Sequence, residues 1–255
     1  MGQVDYLHSQ TDGPIFLFIH GIGGNKTNFQ PLISCLPDSQ CWAVNLPGYG
    51  SSALLDVELT FPALSDWLGQ FIERQIGQPV HLVGHSIGGM LALEHIIRAP
   101  EQAASLTMLG ATSAFGGRDD QFKNAFLEQR LAPLEMGKSM YEIAQMTVPD
   151  LLGAKAEPKA RQAAIDSLSQ ISEHQWRAIL SCLVTFNQRE QIASIKKPVC
   201  VVAGEQDQNA PAPTLQKMAQ KFPHAEYHCL NGIGHLLPLE APSQIAQIIK
   251  TFISS

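Results

Sequence analysis

Short runs of Val, Ile, Leu and Phe alternate along this chain with longer stretches in which apolar residues return every third or fourth position. The runs at 15–19, 41–45, 80–83, 106–110, 199–203 and 225–230 predict strands, and their nearly unbroken apolar character suits a sheet covered on both faces. The stretches at 61–76, 87–98, 212–222 and 242–252 predict helices. In 87–98, for example, Ile87, Leu91, His95 and Arg98 fall along one side and Met90, Leu93, Ile96 and Ile97 around another. Strands alternating with helices in this way predict an α/β fold with a mostly parallel sheet. The alternation stops between Ser113 and Lys197. There Phe122, Phe126, Leu127, Leu131, Leu134, Met140, Ile143 and Met146, then Trp176, Ile179, Leu180 and Leu183, recur at helical spacing. A bare loop of that length is uncommon in a compact domain, so a helical insertion over 113–197 is expected on a core formed by 1–112 and 198–255. No internal repeat or low-complexity tract interrupts either part.

In a parallel sheet the loops after the strands gather on one edge, which is where open α/β folds bind ligands. The first strand is followed by His20-Gly21-Ile22-Gly23-Gly24-Asn25, the second by Pro47-Gly48-Tyr49-Gly50-Ser51-Ser52, and the third by Gly84-His85-Ser86-Ile87-Gly88-Gly89. The last two are followed by Gly204-Glu205-Gln206-Asp207 and Gly232-Ile233-Gly234-His235. A serine, an acid and a histidine thus follow three different strands in the order Ser86, Asp207, His235. Gly84-His85-Ser86-Ile87-Gly88 is a G-x-S-x-G turn between strand and helix, whose glycines leave room for the backbone to cross neighbouring strands while the serine is held exposed. A plain helix N-cap is the alternative role for Ser86.

These motifs, in this order, resemble the α/β-hydrolase family, in particular the small capped group of carboxylesterases, pimeloyl-carrier methyl esterases, enol-lactonases and non-metal haloperoxidases. The resemblance runs over nearly the whole chain outside Ser113 to Phe186. His20-Gly21-Ile22-Gly23 is similar to that group's oxyanion loop, the stretch from Ala203 to Pro211 to its acid loop, and that from Gly234 to Pro242 to its histidine loop. The resemblance implies an α/β-hydrolase fold with a helical cap and a Ser86–His235–Asp207 triad. In it the serine is the nucleophile, the histidine the base, and the aspartate holds the histidine in one tautomer. The backbone N–H groups of Ile22 and Ile87 are the expected oxyanion donors. No cofactor and no metal are called for.

Several residues compete for these roles. Glu205, Asp119 and Asp120 are alternative acids. His20 is expected to brace the oxyanion loop, and His85 is assigned no direct chemistry. The glycine loops do not read as nucleotide sites: Lys26 stands where a dinucleotide fingerprint needs its third glycine, and Gly24-Asn25-Lys26-Thr27 splits the Gly-Lys pair of a phosphate loop. Relatives that open carbon–halogen bonds or epoxides place an aspartate at the elbow, and carbon–carbon bond hydrolases often carry a tryptophan where Leu236 stands.

Composition narrows the partners. With 255 residues, 45% of them hydrophobic, and a mean hydropathy of -0.01, the chain can bury a large core. Its formal charge of -6 and unclustered Lys and Arg argue against a nucleic-acid partner. The polar opening lacks a signal-peptide pattern, no segment reaches the length of a membrane span, and no membrane partner is expected. The five cysteines contain no CxxC pair and read as reduced, mostly buried thiols of a cytoplasmic protein. Oligomeric state is not legible.

The insertion carries Phe115, Phe122, Phe126, Leu127, Met136, Met140, Tyr141, Met146, Trp176 and Phe186, some of which are expected to line an apolar pocket over Ser86. Lys123, Arg130, Arg177 and Arg189 look scattered, with no focused site for a free carboxylate. The expected substrate is therefore a small-molecule ester with a small to medium uncharged acyl group. Lactones, thioesters and carbon–carbon bonds are alternatives on the same triad, and non-catalytic ligand binding on the same fold is a further one.

Overall fold

The computed structural model describes residues 2–116 and 120–254. Seven strands form one sheet: β1 (Tyr6–His8), β2 (Ile15–Ile19), β3 (Gln40–Val44), β4 (Val80–His85), β5 (Ala103–Leu109), β6 (Val199–Gly204) and β7 (Ala225–Leu230). Their spatial order is β1-β3-β2-β4-β5-β6-β7, and every pairing is parallel except β1 with β3. Six strands match the predicted runs, β2 and β7 end to end and the other four with ends shifted by one to three residues. β1 was not predicted. Its three residues are only partly covered, and it is held by its antiparallel partner and by His8 stacked on Trp42 at 3.7 Å. A strand that short carries no readable period.

Residues alternate between faces as a strand requires. Phe16 and Phe18 pack with Phe29, Cys41, Ala43 and Ile245, while Leu17 and Ile19 pack with Trp42, Val44, Leu64 and Leu91. The first face is covered by α1 (Gln30–Ile33) and α10 (Pro242–Ser254), the second by α2 (Phe61–Phe71), α3 (Ile87–Arg98) and α8 (Ala212–Ala219). Local signals set several of these ends. The Thr60 side chain accepts from the Ala63 N–H at the start of α2, and the chain leaves that helix through a wider turn at Ile72–Ile76 that stops at Gly77, φ 72°.

Between β5 and β6 the described residues form four α-helices, α4 (Asp120–Glu135), α5 (Met140–Leu151), α6 (Pro158–Ser169) and α7 (Glu173–Leu183). Ser139 and Glu142 form a reciprocal box at the start of α5, and Ser172 caps α7. The two ends of the insertion are fastened together: Phe115 N–H donates to Phe186 O at 2.9 Å and Gln188 N–H to Ser113 O at 2.7 Å. A short helix, α9 (Leu237–Glu240), precedes α10 and contacts α6. Among the described residues no helix is long and apolar enough to cross a membrane. The five cysteines are free thiols, with Cys41, Cys182 and Cys200 buried and Cys229 exposed.

Candidate active site

Strand β4 ends at His85, α3 begins at Ile87, and Ser86 between them has φ 53° and ψ -122°, the one positive φ outside glycine among the described residues. Such a conformation costs about 1–3 kcal/mol and persists only where its surroundings hold it. They do so here by close backbone approach: a Cβ on Gly84 would collide with the carbonyl of Gly88, and one on Gly88 with the carbonyl of Ile19. The Ser86 N–H donates to Leu109 O at 2.9 Å, and its carbonyl accepts from Gly89 and Met90. Its hydroxyl makes no helix-capping bond. It faces His235 instead, with Oγ 3.1 Å from Nε2, so the N-cap alternative does not describe it.

His235 follows β7 and Asp207 follows β6. His235 Nδ1 lies 2.7 Å from Asp207 Oδ2. With Nδ1–H donating to the carboxylate, Nε2 remains an acceptor aimed at the serine hydroxyl. The other Asp207 oxygen accepts from the N–H groups of Asn209 at 2.8 Å and Ala210 at 3.0 Å. Burial by itself would raise the pKa of Asp207, but the charge and hydrogen bond of His235 together with these two N–H groups hold it below the ordinary carboxylate value. Asp207 therefore stays ionised although only 2% exposed. The other acids are engaged elsewhere or not described. Glu205 accepts from the Gly232 N–H at 2.9 Å, Asp120 pairs with Lys123 on α4, and Asp119 lies outside the described residues.

Neutral, buried histidines brace this corner. His20 Nδ1–H donates to Gly21 O at 2.8 Å, and its Nε2 accepts from the Leu46 N–H at 3.0 Å, so it ties the Gly21–Gly24 loop to the loop after β3. Burial lowers its pKa to about 4. His85, left without a role by sequence reasoning, donates from Nε2 to the His235 carbonyl at 2.7 Å. Burial first, and the neighbouring His235 second, lower its pKa to about 3.

Glu240 was missed altogether. Its Oε2 accepts from the N–H groups of Gly153 at 2.7 Å and Gly234 at 3.0 Å, and its Oε1 from Leu236 at 2.9 Å. The His235 N–H in turn donates to Leu151 O at 2.7 Å. Gly153 and Gly234 approach so closely that a Cβ on either would strike the other's backbone. One carboxylate thus clamps the histidine loop and joins it to the end of α5. A carboxylate five residues after the histidine was visible in the sequence, but its partners are backbone groups that no sequence pattern marks.

Ile22 and Ile87 flank Ser86 from two elements. Ile87 is the first residue of α3, so its N–H has no acceptor within the helix, and the Ile22 N–H enters none of the backbone bonds of its loop. Ile22, Ser86 and His235 together border a cavity of about 550 Å³ beneath the helical insertion. Of the expected apolar liners, Phe115, Phe122, Phe126 and Trp176 reach it. Met140 and Phe186 are buried in the core instead, Leu127 packs against it, and Met136, Tyr141 and Met146 face outward.

The expectation that basic residues stay scattered is corrected by the structure. Arg130 and Arg189 both line the cavity and are joined there by Lys217 and Lys221 from the α8 region. Positions far apart in sequence converge because the insertion folds back over the sheet edge. Lys123 and Arg177 remain outside the cavity, paired with Asp120 and Glu135. Among the described residues no cluster of three His, Cys, Asp or Glu is arranged to hold a metal ion.

Comparison with known proteins agrees with this architecture. Residues 16–248 match the model of the family described as "Alpha/beta hydrolase family". The chain is 25% identical over 251 residues to the biotin biosynthesis bifunctional protein BioHC of Cellvibrio japonicus, covering 94% of this chain and 47% of that protein, so it spans about half of that relative. It is also 25% identical over 261 residues to a pimeloyl-[acyl-carrier protein] methyl ester esterase of Aeromonas hydrophila, covering 94% of this chain and 96% of that one. Among solved structures, a thermophilic esterase from Thermogutta terrifontis superposes with a TM-score of 0.85 at 20% identity, over 98% of this chain and 93% of that one.

Proposed function

The chain belongs to the alpha/beta hydrolase family, and from that premise we propose that it is a serine hydrolase that cleaves carboxylic esters through an acyl-enzyme on Ser86. The observation that carries the reading is the unbroken line of hydrogen bonds from Ser86 Oγ through His235 to Asp207. In this mechanism His235 Nε2 takes the Ser86 proton as Oγ attacks the ester carbon, and the carbonyl electron pair moves onto oxygen. The Ile22 and Ile87 N–H groups stabilise that oxyanion; losing one such donor typically slows a reaction about 10²–10³-fold. Collapse expels the alcohol oxygen, which takes the proton from His235. Water then attacks the acyl-serine with His235 again as base, releasing the acid and regenerating the serine. Asp207, kept anionic, stabilises the imidazolium in both halves. No step requires a cofactor.

The same reading divides the chain into a hydrolase core, 1–112 and 198–255, and a cap, 113–197, that encloses a small-molecule ester. The test is labelling by a fluorophosphonate with mass spectrometry of the Ser86 peptide, alongside turnover of p-nitrophenyl esters from acetate to palmitate and of matched lactones and thioesters. Labelling at Ser86 with ester turnover, both lost in Ser86→Ala, is the expected result. No labelling points to ligand binding without catalysis, and a lactone or thioester preferred by tenfold or more, about 1.4 kcal/mol of transition-state discrimination, replaces the ester assignment.

A further inference from the structure

We propose, on the footing of the ester-hydrolase reading above, that the substrate bears a carboxylate separated from the scissile ester by an apolar spacer, and that Arg130 receives that carboxylate. The chain has 23 acidic and 17 basic residues, yet the described residues lining the cavity include Arg130, Arg189, Lys217 and Lys221 and not one Asp or Glu. Against an acidic whole, the cavity beside the serine is cationic. A cleft with apolar walls that is lined by one sign of charge focuses its field on the ligand.

Arg130 is the informative member of the four. Arg98 and Arg177 each meet a carboxylate, Asp66 at 2.8 Å and Glu135 at 2.7 Å. Arg130 is half-buried and makes no ion pair among the described residues; its guanidinium stands 5.4 Å from the centre of the Phe126 ring. Asp150, exposed on α5, gives only a longer-range attraction, while burial pulls the Arg130 pKa below the ordinary arginine value. A partly desolvated guanidinium with a vacant fork is suited to a bidentate carboxylate. Its helix is held in place, since Trp176 Nε1–H donates to the Arg130 carbonyl at 3.4 Å.

The wall beside it is aromatic: Phe115 packs on Phe122 and Phe126 at 5.8 and 4.8 Å between ring centres, and Trp176 also faces the cavity. Such a wall fits methylenes or a ring rather than further charge. Lys217 and Lys221 are exposed and draw the anion in from solvent, an effect that salt weakens. This replaces the expected uncharged acyl group with an ester of a carboxylate-bearing molecule.

The test compares p-nitrophenyl hexanoate with the p-nitrophenyl monoester of adipic acid, which share chain length and differ in the terminal group. A second arm, the hexanoate ester of 4-hydroxybenzoate, puts the carboxylate on the alcohol side. The expected result is a kcat/KM at least tenfold higher for one carboxylate substrate, carried in KM, with the ratio to the neutral ester falling by tenfold or more in Arg130→Gln and partly restored in Arg130→Lys. Thermal melting and fluorophosphonate labelling check that each variant is folded. Neutral esters matching or exceeding both carboxylate substrates, or a ratio unmoved by Arg130→Gln, overturns the proposal while leaving the hydrolase reading intact. Calorimetric binding of monomethyl adipate against methyl hexanoate to Ser86→Ala supplies the converse. Arg130-dependent preference there, without ester turnover by the native chain, keeps the subsite and removes the hydrolase reading.

Discussion

The side of the cavity that carries Ser86 and His235 is fixed by the hydrogen bonds of Asp207, His20 and Glu240, whereas the side contributed by α4 is aromatic and gives the Arg130 guanidinium no carboxylate among the described residues. On the first side Asp207 accepts three bonds, His20 uses both ring nitrogens and Glu240 accepts three backbone N–H groups. On the second, Phe126 and Arg130 meet ring on cation and otherwise face the cavity. Bond-forming chemistry needs atoms held to within a fraction of an ångström, and buried, fully satisfied polar groups supply that rigidity. Recognition needs unspent capacity, and a half-buried cation without a partner retains it. If this contrast holds, changes on the two sides separate kinetically.

The largest effect is expected on the hydrogen-bonded side. Asp207→Asn should lower kcat by about 10⁴-fold, the loss usual when the acid of such a unit is removed. Glu205→Gln, which alters only a bond to Gly232, should cost far less. Steady-state rates on one activated ester decide it, and the reverse ranking would move the acid.

Acidification probes the same side through stability. His20 is neutral in the folded chain down to about pH 4, while an unfolded histidine takes its proton near pH 6.5. Between those values the unfolded state binds the extra proton, so the contribution is complete above about pH 6.5 and declines as pH falls towards 4. The depression of about 2.5 units amounts to about 3 kcal/mol at pH 4. His85 adds a loss of the same sign, continuing to about pH 3. Urea midpoints measured from pH 7 to 4 should fall, and His20→Gln should flatten the slope. A midpoint that rises on acidification contradicts the neutral assignment.

Glu240→Gln should cost about 1.5–3 kcal/mol of stability, in line with hydrogen bonds to a charged group. It should also slow kcat about tenfold without shifting chain-length preference, because it loosens the histidine loop and not the cavity wall. Melting curves and the ester panel together check both parts. The smallest effect belongs to the aromatic side. Phe126→Ala should raise KM several-fold with kcat nearly unchanged, as removal of uniform binding does, and it should weaken the carboxylate preference because Arg130 leans on that ring. A fall in kcat matching that of Asp207→Asn would erase the distinction between the two sides.

The strands and the helices were legible because period and apolar runs are local properties, and Ser86, Asp207 and His235 stood out because each closes a strand in a glycine-marked loop. The structure brings those three side chains into one hydrogen-bonded line. β1 escaped because three half-covered residues carry no period. Glu240 escaped because its partners are N–H groups, one of them on Gly153 at the far end of α5. The cationic cavity escaped because Arg130 and Arg189 sit on opposite arms of the insertion and Lys217 and Lys221 beyond it.

What the sequence determined by itself is whatever depends on neighbours along the chain: the alternation of strand and helix, the strained Gly-x-Ser-x-Gly corner, and the order of serine, acid and histidine. What only the tertiary structure decided is which charges are spent and which are left over. That depends on long-range packing, which gives Arg98 and Arg177 their carboxylates and turns Arg130 towards a cavity that contains none among the described residues. A charge is satisfied or left free by its distance to the opposite charge in space, and that distance is not written in the spacing of residues.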